Sequence, residues 1–117
     1  MTSAWDTVIA LAARFDAADA ERGIPSQESH ILQVLKIGEE FGEAAQAVIG
    51  ARGTNPRKGH SHSWEDVHDE VCDVAITALV ALARMRPDAQ AYFAGQLELK
   101  AGKFLPAPRG ADPGPGR

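Results

Sequence analysis

From Val71 to Ala83 the chain carries eleven apolar residues in thirteen, interrupted only by Asp73 and Thr77. The run is shorter than the roughly 20 residues a bilayer-spanning helix needs. Read as a helix it is greasy on nearly every side, which places it at the centre of a bundle. An ionised carboxylate in such a place is costly unless it is paired, hydrogen-bonded or bound to a metal, so Asp73 predicts a nearby cation.

The rest of the chain agrees with an all-α fold, because sustained alternation is absent and the β-branched residues sit among alanines at helical spacing. Trp5, Val8, Ile9, Ala12 and Phe15 recur at steps of three and four, predicting a helix over 4–21 that Gly23 and Pro25 stop. A second helix is expected from Ser26 or Gln27 to Gly50, followed by the connector GARGTNPRKGHSHS. Ser63, with Glu65 and Asp66 behind it, is a helix start, and the third helix should run to about Arg86. A fourth should begin at Pro87, with Asp88 in its first turn. Residues 1–105 are expected to form one domain, and 106–117 a Pro/Gly-rich flexible tail with too few apolar side chains to repay ordering.

Composition narrows the function classes. A net charge of −4 provides no general basic field for a nucleic acid polymer or an anionic membrane. The lone Cys72 cannot form an intrachain disulfide, and the N-terminal stretch lacks a signal-peptide pattern, so a cytoplasmic location is expected.

At about 100° per residue, Lys36, Glu39, Glu40, Glu43 and Gln46 share one side of the second helix, while Ile31, Val34, Leu35, Ile37, Phe41, Ala45, Val48 and Ile49 cover the opposite half. Glu40 and Glu43 are spaced i, i+3, and so are Glu70 and Asp73 on the third helix. If these two helices pack antiparallel, four carboxylates can meet across one cleft. Carboxylates without soft or imidazole partners favour hard ions such as Mg²⁺ or Mn²⁺. The structural alternative neutralises Asp73 with Arg14, Lys36 or Arg84.

Glu39-Glu40-Phe41-Gly42-Glu43, a gap of 26 residues and then Glu70-Val71-Cys72-Asp73 resembles the EExxE, spacer, ExxD signature of the MazG-like nucleoside triphosphate pyrophosphohydrolases, of the all-α NTP pyrophosphatase superfamily. The likeness covers roughly residues 31–85 and includes the flanking LKIGEEFGEAAQAV and WEDVHDEVCDVAITALVAL. It implies a four-helix module, assembled as a homodimer or dimer of dimers, that uses Mg²⁺, with Mn²⁺ as a substitute, to cleave a nucleoside triphosphate between its α and β phosphates. Carried over by position, Glu40, Glu43, Glu70 and Asp73 are the implied metal ligands, and Glu39 orients the attacking water or a ligand.

A triphosphate also needs cations and polar partners, for which Lys36, Arg57, Lys58 and Asn55 are the candidates, with Lys100 and Lys103 behind them. Trp5, Phe15, Asn55 and Trp64 are candidates for base recognition, each with core packing or a turn role as the plainer explanation. The broad apolar faces of the second and third helices exceed what one small bundle covers, which also predicts a homodimer.

Two other readings compete. Glu65-x-x-His68 has the spacing of di-iron carboxylate bundles. At helical pitch, however, His68 lies roughly 140–160° around from Glu70 and Asp73, and no second such pair exists. A non-catalytic helical regulatory protein that binds nucleotide or metal is the alternative to the enzyme.

Overall fold

The computed structural model describes residues 2–107, which hold four helices and no strand. The expected mobile tail at 106–117 lies almost wholly outside the described residues. The helices are α1 (Ala4–Glu21), α2 (Ser26–Arg52), α3 (Trp64–Met85) and α4 (Ala89–Phe104).

Local chemistry accounts for most of these bounds. Ser3 caps α1 in a reciprocal box with Asp6, and Ser63 does the same for α3 with Asp66, satisfying N–H groups that the first helical turn leaves open. Gly23, at φ 75°, and Pro25 separate α1 from α2. Helix α2 runs two residues beyond Gly50 and ends at Gly53, whose left-handed φ of 68° suits glycine. Pro87 is not the first residue of α4; Asp88 stands at the N-cap, without a side-chain capping bond.

The chain divides into two units, Met1–Pro87 and Asp88–Arg117. In the first, α3 packs on both α1 and α2. Side chains pair in descending order along α2 and α3, from Ser29 with Arg84, through Gln33 with Thr77 and Glu40 with Glu70, to Ala47 and Ala51 with Val67. The two helices are therefore antiparallel. Val8, Ala12 and Val80 form one core cluster, with Trp5 and Leu11 packed against it, so Trp5 is a packing residue.

The burial of α2 does not follow its hydrophobicity. Its inward face is made of Ser29, Gln33, Ala44, Ala47, Gly50 and Ala51, while Ile31, Leu35 and Phe41 are 54%, 65% and 65% exposed. Glu40 lies on the inward side. Small residues let α2 and α3 approach closely, and that contact selects the face more strongly than side-chain hydrophobicity does.

A buried arginine fastens the three helices. The side chain of Arg84 is 3% exposed and donates to Asp16 Oδ1 and Asp19 Oδ2 of α1, each at 2.8 Å. It also donates to Gln33 Oε1 of α2 at 2.8 Å and to Ser29 Oγ. Gln33 in turn donates to the Thr77 carbonyl at 3.3 Å. Burial alone would pull the Arg84 pKa down, but its bonds to Asp19 and Asp16 outweigh this and raise it. Asp19 is held well below the usual carboxylate range by bonds from Ser29, Arg84 and Arg22.

Candidate functional site

Antiparallel packing brings the middle of α2 against the first half of α3. Glu40, Glu43 and Glu70 each offer an oxygen there, all within 4.8 Å of one another. Glu40 and Glu70 are half-buried and Glu43 is exposed, so the group sits at the edge of the helix contact. Burial raises the Glu40 pKa, the charge of Glu43 adds to it, and Lys36 opposes both. Lys36 Nζ stands 3.7 Å from Glu40 Oε1. Glu70 Oε2 is buried without a hydrogen-bond partner. Three clustered carboxylates, one of them with a buried oxygen that lacks a partner, form a donor set that fits a hard divalent cation.

Asp73 does not occupy the place expected of it. It is exposed, so the burial argument that gave it a cation fails, and it stands outside the group of three. Its charge still reaches Glu40 and contributes to raising that pKa. Of the cations proposed to neutralise Asp73, Arg84 is committed to α1 and Lys36 pairs with Glu40. Glu39 is exposed beside the cluster, and His68 is exposed.

Beyond Lys36, toward the start of α2, a cleft of about 400 Å³ opens between α1, α2 and α3. Leu11, Phe15, Ile24, Leu32, Ile76 and Val80 supply apolar walls, and Gln33, Thr77, Ser29 and Arg84 supply a polar floor. Lys36 belongs both to this cleft and to the acidic group. Sequence reading named only Phe15 and Lys36 among these residues as candidate ligand contacts. The available signal for the rest was Arg84 itself: a cation in a helix of alanines and leucines requires partners, and Asp16 and Asp19 are spaced i, i+3.

The connector carries the remaining candidates. Asn55 Oδ1 accepts from the backbone N–H groups of Arg57 and Lys58 at 2.9 and 3.1 Å, so this oxygen shapes its own turn. Trp64 is half exposed at the start of α3. Lys100 and Lys103 belong to α4, in the second unit.

No protein-family model, curated protein or solved structure matches the chain. Among the described residues no helix is long and apolar enough to cross a membrane.

Proposed function

We propose that the chain is a Mg²⁺-dependent nucleoside triphosphate pyrophosphohydrolase of the MazG-like kind. The observation that carries this reading is the convergence of Glu40, Glu43 and Glu70 beside an apolar cleft, with Lys36 common to both. The acids suit a metal-bound phosphate group. The cleft, with apolar walls and polar groups among them, suits a heterocyclic base.

Glu40, Glu43 and Glu70 would hold the metal, and Asp73, whose charge reaches Glu40, would add to the negative field around it. When bound, the ion supplies neutralisation of phosphate charge and acidification of water. The side chains do the rest. Glu39 orients a water toward the α phosphorus and takes its proton; a new P–O bond forms, the bond to the oxygen bridging α and β breaks, and nucleoside monophosphate and pyrophosphate separate. Lys36 balances the acids and contacts phosphate oxygen at the mouth of the cleft.

The exposed apolar face of α2, with Ile31, Leu35, Phe41 and Ile49, supports assembly as a homodimer that covers it. Analytical ultracentrifugation of the full chain is expected to give a dimer; a monomer at every concentration removes this part of the proposal.

Activity is tested by following monophosphate and pyrophosphate release from a panel of standard and modified NTPs and dNTPs, in Mg²⁺ and in EDTA. The expected result is metal-dependent release of both products, lost in Glu43→Gln with the helical circular dichroism unchanged. Absence of turnover with every nucleotide, together with Mg²⁺-dependent thermal stabilisation by one of them, would establish a binding protein instead.

A further inference from the structure

The connector between α2 and α3 is pinned rather than loose. Gly59 N donates to the Asn55 carbonyl at 2.9 Å, Ser61 N donates to the Gly50 carbonyl at 3.2 Å, and His60 Nδ1 lies 3.1 Å from the Ala51 carbonyl. These ties fold the segment back over the end of α2 and enclose a second cavity of about 180 Å³, lined by Gln46, Gly50, Asn55, Lys58, Ser61 and His62 among others. Gly50 is buried within a helix, where glycine normally costs stability. A Cβ at this position would run into His62 and Ser61. The missing side chain is what leaves room for them.

The cavity is suited to an anion. In a chain of net charge −4, the segment from Arg52 to His62 contains Arg52, Arg57, Lys58, His60 and His62 and no carboxylate, and of these Lys58 and His62 line the cavity. Asp66, a carboxylate in the first turn of α3, is committed to the Ser63 capping box. The position is equally informative. Gln46 lies one turn beyond Glu43, and Gly50 one turn beyond Gln46, so the cavity starts within about 10 Å of the acids along α2. The apolar cleft is at the opposite end of the same line, beside Lys36. Along α2 the order is apolar cleft, acids, cationic cavity.

From this order we infer that the cavity formed by Lys58, Ser61, His62 and Gln46 holds the terminal diphosphate of the substrate, and after cleavage the free pyrophosphate. The inference rests on the hydrolase reading for its substrate class. When the bridging P–O bond breaks, its electron pair stays on the pyrophosphate oxygen, so negative charge grows at the end of the molecule where Lys58 and His62 are placed. An acidic peptide would use the same cations but would have no use for the adjoining cleft and acids.

Calorimetric titration of the full chain with inorganic pyrophosphate in Mg²⁺ tests the assignment. Lys58→Met is expected to weaken binding by at least about tenfold, the loss of one charge-assisted contact. Lys58→Arg should retain most of the affinity. Gly50→Ala should weaken binding comparably by displacing His62 and Ser61, with circular dichroism reporting its fold. Because Lys58 is exposed and contributes only its backbone N–H to the turn, Lys58→Met decides the question even if Gly50→Ala does not fold. Pyrophosphate affinity that is absent in wild type, or indifferent to Lys58→Met, overturns the inference. Nucleotide turnover combined with that indifference removes this site alone. Binding that depends on Lys58 without turnover of any nucleotide keeps the anion site and removes the hydrolase.

Discussion

Glu40→Gln is expected to abolish Mg²⁺-dependent turnover, by about 10³-fold or more, while raising the thermal midpoint of the protein in EDTA. The first effect follows from the proposed metal site, which would lose one of its three carboxylates; a 10³-fold loss corresponds to about 4 kcal/mol of transition-state stabilisation at 1.36 kcal/mol per decade. The second follows from the sign of the Glu40 shift. Burial and the charge of Glu43 raise its pKa above the ordinary 4.5, so between that value and the folded-state value the native state binds more protons than the unfolded chain. Stability therefore falls as pH rises through this window and stays reduced at neutral pH. Glutamine removes the charge and the penalty with it. Differential scanning calorimetry in EDTA and in Mg²⁺ reads both states: wild type should gain from Mg²⁺ and the variant should not. A variant less stable than wild type in EDTA would mean that Glu40 holds the fold together through contacts of its own.

Arg84→Met should have the largest effect on stability, about 3 kcal/mol or more, which lowers the thermal midpoint by more than ~10 °C for a domain of this size. Methionine fills a similar volume but leaves Asp16, Asp19, Ser29 and Gln33 without their shared donor. The pH dependence should change as well. Asp19 is depressed in the folded state, so its contribution is present above the ordinary value of 3.8 and is lost as pH falls toward the folded-state value. Wild type should thus lose stability on acidification below about pH 3.8, and the variant should have less of that loss to show. Chemical denaturation at several pH values measures it. An unchanged midpoint would mean that the network is dispensable and that packing alone joins the helices.

Much of the fold was legible because its punctuation is chemical. Gly23 with Pro25 and Ser63 mark where helices stop or start, and the structure places those boundaries at or within two residues of them, while α2, expected to end at Gly50, runs on to Arg52. The orientation of α2 was not legible. The sequence put Ile31, Leu35 and Phe41 on the half of α2 opposite the acids without showing which half its neighbours cover, and the folded chain buries Ala44, Ala47 and Ala51 and leaves the larger side chains outside. The pattern reports how apolar a surface is, not which surfaces a single chain buries by itself.

The acids divide in a similar way. Spacing brought Glu40, Glu43 and Glu70 to attention, but the same i, i+3 spacing links Asp16 and Asp19, whose partner is an arginine. Nothing in the spacing separates a metal site from an ion-pair site. The cleft was illegible for another reason, since its walls are contributed by three helices and depend on how closely those helices approach.

That approach is governed by very small groups. Ala44, Ala47 and Ala51 are buried along α2 in the stretch that follows Glu40 and Glu43, and Ala47 and Ala51 pack with Val67, one turn before Glu70. The gauge between the two acidic segments is thus set by methyl groups, which have no rotamers to adjust. Changing an alanine here would act as changing a shim beneath a bearing: it would reset the separation of the carboxylates, and with it the size of ion the proposed site would hold, without altering any of the three acids.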